Sequence, residues 1–178
     1  MTLDRKIDDV FLPAIERITS KSIPGAALGL IKKTGERALR VAGNAQIESE
    51  IIPLNTSMWF DLASLTKVIF TTQRCLELVD AGFITLDEPL SQYLPDLRQY
   101  DLKASERQLT VRQLLSHETF LPAVEPLYTL GQDPETLRAY ILQRDWPKGA
   151  AVYSDINFIL LGLLIERITG QPLRDQNA

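Results

Sequence analysis

Ser64 and Lys67 stand three apart in Ser64-Leu65-Thr66-Lys67, a spacing that brings a hydroxyl and an amine together. At the start of a helix, residues three apart share one face, so the Lys67 amine can reach the Ser64 oxygen. A desolvated lysine crowded by polar neighbours can lose its proton and serve as the base a serine nucleophile needs. A serine at a helix N-terminus also faces orphan amides and the positive end of the dipole, which favour developing negative charge. About one S-x-x-K is expected by chance in a chain this long, so an ordinary surface pair is the competing reading. His117 is the sole histidine and hence the sole candidate for a serine–histidine pair, yet no G-x-S-x-G turn surrounds any serine. It reads as a buried, hydrogen-bonded structural histidine. Cys75 falls three helical turns beyond Ser64, about 16 Å along the axis, and reads as core.

The elements that must hold these residues follow from periodicity. Leu3, Ile7, Val10, Phe11, Ala14, Ile15 and Ile18 form the apolar stripe of a helix over 3–19, with Pro13 as a candidate kink. Ala26 to Ile31 reads as a buried strand and Arg37 to Ala42 as its returning partner, with Lys33-Thr34-Gly35-Glu36 as the turn of a β-hairpin. From Ser64 onward only helices are expected. Leu65, Val68, Ile69, Leu76, Leu78 and Val79 make one that ends at Gly82. Thr110 is placed to cap a short helix, Pro134 to open one reaching Gln143, and Asp155 to cap a last one from Ile156 to Thr169. The fold class is α+β: an N-terminal helix and β-hairpin over 1–56, and a helical part over 57–178.

Composition narrows the function. The chain has 178 residues, 45% of them apolar, with Lys+Arg 19 against Asp+Glu 23 and a formal net charge of −4. Such a balance leaves no basic footprint for nucleic acid or an anionic membrane. One cysteine permits no internal disulfide, and with one histidine it excludes nearly every His/Cys zinc site. The densest apolar run, Phe158 to Ile165, is too short to span a bilayer. The first residues lack the apolar stretch of a secretory signal, which sets the expectation of a cytoplasmic protein.

Three segments change the weight of the tetrad. Trp59-Phe60-Asp61-Leu62-Ala63-Ser64-Leu65-Thr66-Lys67 resembles the nucleophile segment of the β-lactamase and penicillin-binding-protein serine hydrolases. Val111-Arg112-Gln113-Leu114-Leu115-Ser116-His117 is similar to that superfamily's T-x-x-x-L-L-[TS]-H stretch, and Tyr153-Ser154-Asp155-Ile156-Asn157-Phe158-Ile159-Leu160-Leu161-Gly162 to its Y-S-[ND] segment. Their order, and the spacing from Ser64 to Tyr153, suit the class C-like branch with its esterase and D-aminopeptidase relatives. The resemblance implies an acyl-serine intermediate formed on a small-molecule ester or amide, with no cofactor and no metal. It implies Ser64 as nucleophile, Lys67 as its proton acceptor and Tyr153 as the group that passes the proton to the leaving group. Asp155 stands where many members carry a substrate-binding Asn. An aspartate accepts from Lys67 but cannot donate to an acyl amide, and its charge holds Lys67 protonated. That departure favours an esterase over a strict β-lactamase, while the plain structural role for Asp155, capping the last helix, is compatible with either.

Lys33-Thr34-Gly35 spells the superfamily's third motif, but it precedes Ser64 and falls in the hairpin turn. Members continue after the tyrosine segment with that motif, further strands and a C-terminal helix. The expectation is therefore an incomplete β-lactamase/transpeptidase-like fold, truncated before the third motif, lacking one oxyanion amide and weak in turnover. Self-association or a complementing C-terminal segment would cover the open sheet edge. The rival reading is a non-catalytic chain that keeps the helical scaffold and binds another polypeptide.

Overall fold

The computed structural model describes residues 2–131 and 133–176, which divide into two compact units between Asp61 and Leu62. In the first unit the apolar stripe folds as α1 (Leu3–Thr19), which buries Leu3, Ile7 and Phe11 and carries Pro13 within it. Thr2 caps this helix by accepting from the Arg5 N–H. Strands β1 (Gly25–Ile31) and β2 (Arg37–Gln46) pair antiparallel, and β3 (Ile52–Pro53) adds to β2 in the order β1-β2-β3. The sheet thus has one strand more than a hairpin, because two residues are too short to show an alternating pattern.

The expectation of a fully buried β1 is corrected. Leu28 and Leu30 pack with Leu3, Ile7 and Ala38 beneath α1, whereas Ile31 on the opposite face is 66% exposed. One helix covers one face of the sheet, so burial alternates along the strand. Arg40 of β2 ties the helix down through Asp8 at 2.6 Å and Asp4 at 3.1 Å. Gly25 faces Gly43 across the ladder. A Cβ on Gly25 would stand 2.4 Å from the Asn44 carbonyl oxygen, and one on Gly43 would stand 2.4 Å from that of Pro24. The backbones approach too closely there for any side chain. Lys33-Thr34-Gly35 is the exposed β1–β2 turn, with Gly35 at φ +86°.

The second unit is helical: α2 (Gln73–Asp80), α3 (Val111–Leu115), α4 (Pro134–Gln143) and α5 (Asp155–Thr169), joined by 3₁₀ turns. Its core gathers Cys75 and Leu78 of α2, Leu114 of α3, Ile141 of α4 and Ile156, Leu160, Leu161, Leu164 and Ile165 of α5. Apolar residues lie almost all round α5, as befits a helix enclosed by its neighbours. Local signals set the ends. Thr110 and Gln113 form a reciprocal capping box at α3, Asp133 caps α4 ahead of Pro134, and Gly170 closes α5 at φ +68°. The cap of α5 is Ser154, which accepts from the Asn157 N–H, so Asp155 is the first helical residue and not the cap.

The helix expected from Ser64 is built differently. Leu65, Thr66 and Lys67 donate their N–H groups three residues back, and Lys67–Thr72 is a π-helical turn that leads into α2. The Thr72 hydroxyl donates to the Lys67 carbonyl at 2.7 Å, bridging that wider turn. A π turn adds a residue and rotates the helix phase. Leu65, Val68 and Ile69 therefore turn outward, at 55%, 62% and 51% exposure, while Thr71, Cys75 and Leu78 face the core; Leu76, within α2, is 49% exposed on the side away from them.

Candidate active site

Ala63, at φ +43°, turns the chain sharply just before Ser64. A left-handed backbone at a residue with a Cβ carries strain, and such strain concentrates where a side chain must be presented in one direction. Ser64 is exposed at this turn, and the Lys67 ammonium donates to its Oγ at 3.3 Å. Lys67 also donates to Asp155 Oδ1 at 2.7 Å from the first turn of α5. The Lys67 side chain is 14% exposed. Its ammonium sits 5.1 Å from the ring centre of Tyr153 and 5.7 Å from that of Phe158, within cation–π range.

The electrostatics follow from these contacts. Burial pulls the Lys67 pKa down, but the hydrogen bonds to Asp155 and then to Tyr153 outweigh it, and the net direction is upward. Lys67 is therefore a cation at neutral pH. The Tyr153 phenol moves the other way: its interaction with the Ser64 hydroxyl, then with Lys67, lowers it against burial and the Asp155 charge. The four residues singled out from the sequence, Ser64, Lys67, Tyr153 and Asp155, come together in one place. The orphan amides expected after Ser64 do not: the N–H groups of Leu65, Thr66 and Lys67 are bound at 2.9, 3.1 and 3.1 Å. A cleft of about 650 Å³ runs from Ser64 and Lys67 along α5, past Phe158, Ile159 and Leu163 to Leu173.

His117 lies against the site rather than in the core. It is half-buried, at the end of α3 with φ +58°, and its ring packs on Tyr153 at 4.4 Å between centres. Its Nδ1 accepts from the Ser154 N–H at 3.0 Å. Asn157 and Thr119 complete a buried network behind it. Asn157 lies within the tyrosine segment, yet its spacing alone marks no role for it. A buried amide on the inner face of an amphipathic helix was the available signal. Cys75 is fully buried, and burial pushes its thiol up to about 12.

The Beta-lactamase family model matches residues 10–176. The chain is 30% identical over 191 aligned residues to an N-acetylmuramyl-L-alanine amidase of Bacillus subtilis (strain 168), covering 95% of this chain and 42% of that protein. It is 28% identical to Esterase EstB of Burkholderia gladioli, covering 97% of this chain and 47% of the esterase. A crystal structure of a class C beta lactamase superposes with a TM-score of 0.77 at 25% identity, covering 97% of this chain and 47% of that one. The chain thus spans less than half the length of the relatives it matches. The matched span takes in most of both units, from within α1 through the sheet to the end of the helical unit, and not the tetrad alone: this chain belongs to the Beta-lactamase family.

Proposed function

We propose that this chain carries the nucleophile, base and cationic partner of a serine hydrolase that acts on an ester or amide through an acyl-serine intermediate. The observation that supports it most is the geometry: the Lys67 ammonium donates to Ser64 Oγ at 3.3 Å and to Asp155 Oδ1 at 2.7 Å and lies 5.1 Å from the Tyr153 ring centre, while Lys67 is raised and Tyr153 lowered from their ordinary values. Two neighbouring titratable groups pushed apart in this way divide the acid and base roles. Tyr153, not Lys67, takes the Ser64 proton as Oγ attacks the carbonyl carbon. The tetrahedral intermediate then breaks its bond to the leaving group, which receives that proton from Tyr153. Water, deprotonated by Tyr153, attacks the acyl carbon; this second tetrahedral intermediate breaks its bond to Ser64 Oγ, which takes that proton back from Tyr153 as the carboxylic acid leaves. Lys67 balances the phenolate charge throughout, and Asp155 holds Lys67 in place. The apolar wall of Phe158, Ile159 and Leu163 suits an uncharged substrate portion. Esterase EstB among the relatives supports an ester as the substrate class.

Treatment of the folded chain with a fluorophosphonate or an activated p-nitrophenyl ester tests this reading. Peptide mass spectrometry is expected to place one acyl or phosphonyl group on Ser64, absent in S64A. A folded chain that stays unlabelled at Ser64 would assign it the scaffold role instead.

A further inference from the structure

Thr119, Ser154 and Asn157 are 3%, 0% and 0% exposed, so each polar atom needs a partner inside the protein. Their hydrogen bonds run in one direction. The Leu121 N–H donates to Thr119 Oγ1 at 3.3 Å, and the Thr119 hydroxyl donates to Asn157 Oδ1 at 2.7 Å. With its oxygen occupied, Asn157 turns its amide nitrogen toward His117 Nδ1 at 3.3 Å. The Ser154 N–H converges on the same nitrogen at 3.0 Å. Two donors aimed at Nδ1 require that it carry no proton, which places the imidazole hydrogen on Nε2. The same ring lies 4.4 Å from Tyr153 and 5.2 Å from Phe158, centre to centre. One imidazole therefore grips the backbone immediately after Tyr153 and packs on its phenol ring.

We propose that His117 is a positioning residue for Tyr153: as a neutral acceptor it fixes the phenol beside Ser64, and when protonated it releases it. Protonation would set three donors against one another, Nδ1–H, the Ser154 N–H and the Asn157 amide, with no acceptor among them. The charged and titratable groups facing the ring are Lys67 from the π turn, Asp155 from α5 and Tyr153 itself. Burial first, and then the Lys67 charge, hold His117 below its usual 6.5 against the opposing pull of Asp155. As pH falls below 6.5 the unfolded chain takes up the proton before the native one, so native stability declines and the grip on Tyr153 is lost further down. The catalytic consequence rests on the serine-hydrolase reading. The placement of Tyr153 does not.

His117 is the sole histidine, so the imidazole signals of a ¹⁵N,¹³C-histidine-labelled chain need no assignment. The Tyr153 ring signal is identified by its loss in Y153F. At pH 7.5 the Nε2–H tautomer is expected, with a protonation midpoint under 6.5. The Tyr153 ring signal and the rate of Ser64 labelling should both change at that same midpoint. H117N keeps an acceptor near the Nδ1 position, tolerates a left-handed backbone and does not titrate, so it should recover most of the labelling without the acid limb. H117F keeps a ring but no acceptor and should lower labelling by about 10- to 100-fold through misplacement of Tyr153. If H117F fails to fold, H117N carries the test. An Nδ1–H tautomer, a Tyr153 signal indifferent to the His117 titration, or an acid limb unchanged in H117N would overturn the proposal. Coupled titration of His117 and Tyr153 in a chain that never labels at Ser64 would sink the hydrolase reading and leave the positioning role standing.

Discussion

Asp155→Asn separates charge from geometry at the site. The amide keeps an oxygen where Oδ1 now accepts from Lys67, so the lysine retains its tether and loses its counter-charge. At 2.7 Å the Coulomb attraction is about 6 kcal/mol at an effective dielectric of about 20, and about 1.5 kcal/mol in bulk water. The Asp155 side chain is 45% exposed, which places the pair near the wet limit. After the hydration that both charges give up, the net loss should be about 1 kcal/mol, seen as a melting temperature lower by about 2–4 °C. Because Lys67 is raised in the folded chain, its contribution is complete below the unfolded value of 10.5 and disappears as pH rises through the folded one. The variant and the parent should therefore differ throughout neutral pH and converge in strong alkali. Reactivity should move the opposite way to stability. The Asp155 charge raises Tyr153, so its removal drops the phenol further and shifts the basic limb of Ser64 labelling to lower pH. Stopped-flow labelling with an activated ester from pH 5 to 10, beside thermal unfolding, reads both effects. A basic limb that stays put or moves upward in a folded D155N would refute this account of the site's charges.

Tyr153→Phe should lower Ser64 labelling by about 100- to 10,000-fold while the melting temperature holds, because the ring's packing on His117 survives. Ala63→Gly relieves the left-handed strain at φ +43° and should raise stability by about 0.5–1 kcal/mol after the added freedom of the unfolded chain, as read by urea titration. Cys75, buried with its thiol pushed up to about 12, should resist iodoacetamide in the native chain at pH 8 and react at the rate of unfolding. Fast alkylation without denaturant would show that α2 opens locally.

Much of the helical unit was legible because its ends are written in local chemistry. Thr110 with Gln113, Pro134 and Gly170 each act within one turn of themselves, so a linear reading finds them. Ser64 and Lys67 were legible through their spacing, and Tyr153 through family resemblance. Other features depend on partners distant in sequence. Ser154 rather than Asp155 caps α5, since the Asp155 carboxylate is drawn to a lysine on another element. His117 reads as an ordinary core histidine until the fold sets Ser154 and Asn157 against its Nδ1. The tetrad alone offers Lys67 as a base; only Asp155, read from the tyrosine segment and found 2.7 Å away in α5, marks it as a cation. Leu65, Val68 and Ile69 misled for a different reason: their stripe assumes 3.6 residues per turn through a segment that does not keep it.

That segment makes the site depend on the number of residues as well as on their kinds. The π turn at Lys67–Thr72 holds one residue more than an α-helical turn of the same height. Deleting one residue among 68–71 would let this turn rewind to α geometry with the residues on either side still in phase, whereas deleting two would turn everything before it by about 100° relative to α2. After a two-residue deletion Lys67 would swing off Asp155 and Ser64 off Tyr153, although all four side chains would remain in the chain. Substitutions at the outward Val68 and Ile69, at 62% and 51% exposure, disturb no such phase. A library covering this stretch should therefore accept many exchanges, tolerate the loss of one residue better than the loss of two, and so show a length constraint rather than a side-chain one.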